Sequence, residues 1–415
     1  MADNKPDHEH LLELIDCARI KFEQCLSSES NRCIMAKTPD YLMKFTAANV
    51  YAGIVFNNIN VLKKDKTDNR RMGQAVAFLE KLLEEKHFLS KKRGQVYDAL
   101  IRIYRQRKDF SKALSTFQKA GEDELISHVI QFTLLAQMKP LLTQKAVPEQ
   151  IKSKLSAVYH IQQILFNCNS IETMTVSAKS TPSDKPNRKK VYVTETEDCT
   201  LYQSVEELVV NHFKKDGWYG VHDEGSLLKN IIFACFWDII FSSPTLENDE
   251  MSVFVSKCQM RPLDWGSRQF YLRRQSAIKQ RLKEIETSDW SGVNARVVKC
   301  FTNHGGESFN KSIWKWIKSE NLMNIEAFLM CLSTKFIASV AEWLLKDFGT
   351  YSSGFPDCTL WHRTNKQCIF VEVKSPSDTL AKHQEFWLTK IEEFGGNSRI
   401  CHVREIASCS ARLNS

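Results

Sequence analysis

The chain has 415 residues, 43% hydrophobic and 26% charged, which excludes a largely disordered protein and, at this length, a single small module. Lys and Arg number 57 against 49 Asp and Glu, and the resulting +8 suits a surface that faces a polyanion without requiring one. Glycine (15) and proline (10) are few, which favours long helices.

None of the thirteen cysteines forms a C-x-x-C pair, and Cys235, Cys331, Cys368 and Cys401 lie in apolar periodic stretches, as small buried hydrophobes do. The opening MADNKPDHEH is no signal peptide. The strongest apolar run, Ile231 to Phe241, has 11 residues with Asp238 inside it, too short to cross a bilayer. Free thiols in a reducing, intracellular compartment are the expectation.

In chain order, residues 1–40 read as an N-terminal extension. Its Cys17, Cys25 and Cys33 recur at eight-residue intervals, which is not a zinc-ligand spacing. Residues 41–167 read as helix after helix. MGQAVAFLEKLLEE superposes on FSKALSTFQKAGED at an offset of 38, with Ala75 over Ala113, Leu79 over Phe117 and Leu82 over Ala120. Recurrence of small and large apolar residues at matched positions fits a solenoid of tetratricopeptide type, and equally an irregular bundle. Residues 168–203, with TVSAKSTPSDKPNRKK, read as a linker or basic loop around a short strand at Val191–Val193. Its Lys185, Arg188, Lys189 and Lys190 suit a solvated loop, a nuclear-import signal or a phosphate contact.

Order returns at Ser204, which with Glu207 makes a capping box ahead of Val205, Leu208, Val209 and Phe213 at helical spacing. A second helix starts near Ser226, and helical periodicity continues through 266–287 and 321–346. Then the period becomes two. Asp357 to His362 and Cys368 to Lys374 form a hairpin across five polar residues, and pairing His362 with Cys368 brings Asp357 beside Glu372. On the second strand Glu372 and Lys374 share one face, while Ile369, Val371 and Val373 share the other.

Two carboxylates that meet repel unless a cation lies between them. Oxygen ligands suit a hard ion, Mg2+ or Mn2+, which polarises a phosphate and acidifies a bound water. An adjacent lysine can orient that water or neutralise developing charge. Metal-assisted phosphodiester hydrolysis is the chemistry this set serves. A surface ion pair between Glu372 and Lys374 is the plainer alternative, but Glu372 lies in an otherwise apolar run, where an unpaired carboxylate is costly.

GFPD, FVEVK, the following SPSDTLAKHQEFWL and ICHV resemble the VRR-NUC nuclease domain, a branch of the PD-(D/E)xK fold. SVEELVVNHFKKDGWYGVHDEGSLLKNIIFACFWDIIF, RPLDWGSRQFYLRR, FTAANVYAGIVF and SKKRGQVYDALIRIY resemble the Fanconi-associated nuclease family, so that the likeness covers about residues 40–410. The resemblance implies an α+β chain: a helical, TPR-like N-terminal domain at 41–167, then at 204–415 a nuclease domain with a mixed β-sheet flanked by helices. It makes Glu224, Asp357 and Glu372 metal ligands together with the Val373 carbonyl, Lys374 the catalytic lysine, and Gln384 and Glu206 nearby supporting residues. His222 and Asp223 remain loop residues. It also implies a pocket for the terminal phosphate of a DNA flap at Arg93 and His128; Arg273 and Arg274, which follow the aromatic Phe270 and Tyr271, suit backbone contact plus stacking on bases, or equally a solvated helix face.

The implied activity is structure-selective 5′-flap endonuclease and 5′-3′ exonuclease cleavage in DNA repair, including interstrand crosslink repair. The expected location is the nucleus. Expected partners are branched or 5′-flap DNA and DNA-repair proteins, with no membrane and no ubiquitin-binding zinc finger. A dimeric junction resolvase and a catalytically silent scaffold are the alternatives.

Overall fold

The computed structural model describes residues 8–64, 69–166, 171–180, 191–195, 200–244, 252–256, 258–304, 322–376 and 378–406, and the chain divides into two compact units, Met1–Phe166 and Asn167–Ser415. The first unit is helical: α1 (His8–Ser27), α2 (Glu29–Lys37), α3 (Ala47–Asn57), α4 (Ile59–Lys64), α5 (Asn69–Glu84), α6 (Arg93–Gln106), α7 (Phe110–Glu122), α8 (His128–Met138) and α9 (Glu149–Phe166). Ser28, Thr46, Asp109 and Ser127 start α2, α3, α7 and α8 by accepting an N–H from three residues on.

The stretch expected to be an extension is part of this unit's core. Leu12, Ile15, Ala18 and Phe22 recur at three and four residues along α1 and are all buried, and Phe22 meets Phe78 and Phe88 edge to face at 5.7 and 5.4 Å. The repeat seen in sequence is a repeat in packing. Ala75 and Ala113 are fully buried, as are Leu79, Leu82, Phe117 and Ala120, so α5 and α7 each press a small-then-large apolar stripe inward with α6 beside both.

Arg93, at the head of α6, ties these helices together. Its Nε donates to Asp123 Oδ2 at 2.5 Å, and its terminal nitrogens donate to the carbonyls of Leu82 (3.3 Å) and Leu83 (2.7 Å) in the last turn of α5. Tyr97 also donates to Asp123, at 3.0 Å. Removing one partner of so buried a pair strands the other charge. Arg93→Met should therefore lower stability by about 3–5 kcal/mol, read as a large drop in the denaturant midpoint of the full chain; a midpoint equal to wild type would show the clamp to be idle.

The second unit is built on a seven-stranded sheet in the order β3-β2-β1-β7-β6-β5-β4, where β1 is Glu172–Ser180, β2 Tyr192–Glu195, β3 Thr200–Gln203, β4 Tyr219–His222, β5 Cys358–His362, β6 Gln367–Lys374 and β7 Ser398–Glu405. β7 is parallel to both β1 and β6, and the remaining pairs are antiparallel, so the sheet is mixed. The 168–203 segment, expected to be a linker, supplies three of these strands. Met174, Val176 and Ala178 alternate inward along β1, and Tyr192 of β2 is buried beside them. The basic cluster at Lys185, Arg188, Lys189 and Lys190 lies outside the described residues.

One face of the sheet, carrying Cys358, Leu360, Ile369, Val371, Val373 and Cys401, packs on α10 (Val205–Lys214). The other carries Phe370, which stacks on Phe336 at 5.6 Å and meets Phe355 edge-on at 5.6 Å; Phe355 lies 4.8 Å from Trp387 of α18 (Lys382–Glu393). Between β4 and β5 come α11 (Ser226–Cys235), α12 (Trp237–Ile240), α13 (Arg268–Thr287), α14 (Trp290–His304), α15 (Leu322–Leu329), α16 (Thr334–Lys346) and α17 (Phe348–Tyr351). The periodic stretch at 321–346 is two helices, because Ser333 caps α16. Among the described residues no helix is long and apolar enough to cross a membrane.

Candidate active site

The site grows from the β5–β6 hairpin. Its turn closes on the pair His362 and Gln367, one residue tighter than expected. Lys366 turns in the left-handed region (φ 52°), and the Asn365 N–H reaches His362 Nδ1 at 3.2 Å. Asp357, one residue before β5, accepts the Val373 N–H on Oδ2 at 2.8 Å, which holds it at the C-terminal end of β6. Glu372 is 0% exposed and Lys374 only 7%. Glu372 Oε1 receives Lys374 Nζ at 2.8 Å and Gln384 Nε2 at 2.5 Å. Gln384 Oε1 in turn accepts Lys374 Nζ and the Ala381 N–H, both at 2.9 Å. Gln384 thus bonds both Glu372 and Lys374, placed there by the first turn of α18.

The electrostatics are strained. Burial, then the neighbouring Asp357 charge, pushes Glu372 up from 4.5 to about 7, against the pull of Lys374. Asp357 is also raised, by burial first and by Glu206, while the Val373 N–H and Lys374 oppose the shift. Glu206 stands half-buried in the first turn of α10, and its carbonyl accepts Sγ of Cys358, next in sequence to Asp357, at 3.8 Å. Glu207 completes the expected capping box: its carboxylate takes the Ser204 N–H at 2.9 Å and its own N–H goes to Ser204 Oγ at 3.1 Å.

Glu224 departs from expectation. Its N–H and that of Asp223 both donate to the Asp357 carbonyl, at 3.1 and 3.0 Å, so its backbone adjoins the site. Its side chain is exposed, and among the described residues no three His, Cys, Asp or Glu groups gather closely enough to hold an ion. Three converging carboxylates repel, and Glu224, on the surface, relieves that repulsion by standing in water. The turn bearing it takes two left-handed residues in succession, Glu224 (φ 49°) and Gly225 (φ 71°). A side chain at Gly225 would meet the Phe355 ring at 2.2 Å, and one at Gly354 (φ 83°) would meet the His383 carbonyl at 2.8 Å. Glycine is therefore required in both EGS and GFPD.

Asp223, read in sequence as a loop residue, is the buried anchor of this turn. It accepts the Thr359 hydroxyl and the Leu227 N–H, both at 2.7 Å, and burial raises it to about 6. Lys229, whose ammonium donates to the Glu224 and Ser352 carbonyls at 2.8 Å each, was equally unforeseen; burial lowers it to about 8. A lone lysine in the otherwise apolar opening of α11 was the available signal.

The expected DNA contacts fare less well. Arg93 is 4% exposed and spent on Asp123 and two carbonyls, so it is not presented to a phosphate. Arg274 is 3% exposed; it donates to Asp264 Oδ2 (2.8 Å) and to the carbonyls of Ile239 and Ser242 (both 3.0 Å), with its guanidinium 4.4 Å from the centre of the Phe270 ring. The Arg273 side chain is buried as well, Nε 3.9 Å from the same Asp264 oxygen. Phe270, one of the aromatic neighbours that suggested stacking on bases, instead covers the Arg274 guanidinium. His128 opens α8 and is exposed.

The donor set fits a hard divalent cation. Glu372 Oε2 is buried and no N–H of the chain donates to it, while the Asp357 carboxylate stands within hydrogen-bonding reach of Glu372, two acidic groups set together as a shared cation would require. Asp357 and the Val373 carbonyl adjoin it, and Glu224 is within the same backbone network.

The comparisons with known proteins agree with this chemistry. Residues 291–405 match the VRR-NUC domain and residues 2–139 the TPR domain of Fanconi-associated nuclease 1. Fanconi-associated nuclease 1 of Homo sapiens is 25% identical over 414 residues, covering 98% of this chain and 39% of that protein. The homolog of Schizosaccharomyces pombe is 28% identical over 387 residues, covering 90% and 51%. A solved structure described as paFAN1 bound to 2nt 5′flap DNA with gap has a TM-score of 0.63 at 18% identity, covering 95% of this chain and 62% of that one, a likeness of fold. The helical unit is accordingly TPR-like. The chain spans about half or less of the length of these curated relatives.

The raised Glu372 has a consequence for the metal-free protein. The folded chain keeps a proton that the unfolded chain releases above 4.5, so stability falls as pH rises from about 4.5 through about 7. In EDTA, Glu372→Gln should melt above wild type at pH 8, with the gap closing near pH 4.5; a Gln variant that melts lower at pH 8 would mean that pairing with Lys374 outweighs burial.

Proposed function

We propose, for a chain that resembles the Fanconi-associated nucleases in both of its units, that it is a metal-dependent, structure-selective DNA nuclease acting in DNA repair. The observation that carries this reading is the Glu372 carboxylate, fully buried beside Asp357, one oxygen shared by Lys374 and Gln384 and the other taking no N–H of the chain. A strand that only needed stability would hold an apolar side chain there.

Asp357, Glu372, the Val373 carbonyl and, by a side-chain rotation, Glu224 would hold Mg2+ or Mn2+. Once bound, the ion supplies charge neutralisation at the phosphate and a more acidic water. The chain's own groups do the rest. Lys374, fixed between Glu372 and Gln384, places an ammonium where charge develops on the phosphoryl oxygens. Gln384 fixes the orientation of both partners, since its amide carbonyl accepts from the lysine while its NH2 donates to the glutamate. The water oxygen bonds to phosphorus as the water gives up a proton to solvent, the P–O ester bond breaks, and the leaving oxygen takes a proton from solvent, so that one water is consumed for each bond cut.

A 5′-flap is the proposed substrate, cut internally or from its 5′ end in the nucleus during crosslink repair. With Arg93 buried, His128 is the expected phosphate contact whose side chain is exposed. In a gel assay of 5′-flap, 3′-flap and four-way-junction DNA, cleavage should favour the 5′-flap, need Mg2+ or Mn2+ and vanish in EDTA. Lys374→Ala and Asp357→Ala should each lower cleavage at least about 100-fold while leaving flap binding largely intact. Cleavage by either variant at the wild-type rate would remove the site assignment, and paired nicks in the junction alone would replace the flap by a four-way substrate.

A further inference from the structure

Lys229 occupies the first turn of α11, where the helix dipole disfavours a positive charge. Its side chain folds back over the helix start, as helical side chains lean. The ammonium donates to the Glu224 carbonyl and to the Ser352 carbonyl, both at 2.8 Å, and lies 5.3 Å from the centre of the Phe355 ring. It therefore joins two segments far apart in sequence, the turn that carries Glu224 and the stretch that leads into Asp357. Phe355 is also the ring against which Gly225 packs without room for a Cβ. Both sides of Glu224 are thereby fixed: its N–H by the Asp357 carbonyl at 3.1 Å, its C=O by Lys229.

Resting on the nuclease reading above, we propose that Lys229 is a positioning residue for metal capture, holding the left-handed Glu224 peptide so that the Glu224 carboxylate can swing onto an ion bound at Asp357 and Glu372. The lysine touches neither substrate nor ion. Its contribution is to set the backbone from which the third carboxylate is delivered: it answers the carbonyl side of a Glu224–Gly225 peptide whose N–H side is already held by the Asp223 carboxylate. The same two carbonyls would accept the forked guanidinium of an arginine, whereas a methionine would fill the space and donate nothing.

Mn2+ binding to the full chain without DNA, measured by titration calorimetry, tests this directly. Lys229→Met should weaken Mn2+ binding about tenfold or more with the metal-free melting temperature close to wild type. Lys229→Arg should restore most of the affinity, and saturating Mn2+ should restore flap cleavage by Lys229→Met. Should Lys229→Met fail to fold, Lys229→Gln, which keeps one donor group, should show a weakened affinity in the same direction. Wild-type affinity in a folded Lys229→Met or Lys229→Gln, with Asp357→Ala still abolishing binding, would overturn the proposal and leave the nuclease site standing. Unchanged binding in Asp357→Ala would instead remove the metal site itself, and this role for Lys229 with it.

Discussion

A carboxylate buried in the middle of an apolar strand is the constraint around which the second unit is arranged. Glu372 sits between Val371 and Val373 with no exposure to water. An isolated charge there would be prohibitive, so its neighbours are organised to tolerate it. Lys374 is two residues on and thus on the same face. Gln384 must approach from another element, which requires α18 to start beside the end of β6 and to spend its first turn on this contact. The apolar residues deeper in α18, Phe386, Trp387 and Leu388, then hold the helix against the sheet, with Trp387 Nε1 donating to the Tyr351 carbonyl at 3.0 Å. Packing supplies the stability, and the polar end of the same helix uses part of it to keep a charged cluster in place.

The second half of the site obeys a different constraint. Asp357 is reached by a short approach, Gly354-Phe355-Pro356, in which the glycine is left-handed and the phenylalanine is buried. The facing turn, Asp223-Glu224-Gly225, is held by main-chain bonds to the Asp357 carbonyl and by the buried Asp223 carboxylate on Thr359. Little of this depends on the identity of exposed side chains. It depends on backbone conformations that are unfavourable for most residues and persist because the surrounding packing and hydrogen bonds determine them several times over. Glu224 is the visible result: a non-glycine residue at positive φ, poised next to carboxylates that it does not join.

The legible parts of the sequence were those where one period and one chemistry coincide. Alternation from Gln367 to Lys374 separates Glu372 and Lys374 from Ile369, Val371 and Val373, and the structure keeps that separation. The 38-residue echo between α5 and α7 likewise survives as matched buried positions. Arg273 and Arg274 were misread for a physical reason: an arginine beside an aromatic residue looks the same in sequence whether the ring offers a base a surface or offers the arginine a dry wall. What decides is a distant acid, Asp123 for Arg93 and Asp264 for Arg274, and sequence spacing does not announce such pairs. Of the strands β1 to β3 only the short one expected at Val191–Val193 was legible, and it is the start of β2; the others were hidden by the prolines and basic residues between them. Their alternation uses Met174, Val176 and Ala178, which include small and only partly buried residues, a weak pattern without the partner strand β7.

The two units therefore meet different demands with the same kind of interaction. In the helical unit the buried pair of Arg93 and Asp123 has its polar atoms directed at helix ends, where the Leu82 and Leu83 carbonyls need donors, so the charge completes the packing. In the sheet unit the buried pair of Lys374 and Glu372 leaves one carboxylate oxygen unanswered. Both pairs are about equally secluded from water, so seclusion does not distinguish them. The difference lies in the company of the unanswered oxygen: the carboxylate of the Arg93 pair has both oxygens answered, the equally unanswered Asp264 Oδ1 belongs to a carboxylate set against two arginines, and Glu372 Oε2 belongs to one set against a second carboxylate, Asp357, where a cation is still wanted. By that criterion Arg93 belongs to the scaffold and Glu372 to the chemistry, although the sequence presented both as candidates for contact with nucleic acid or its metal.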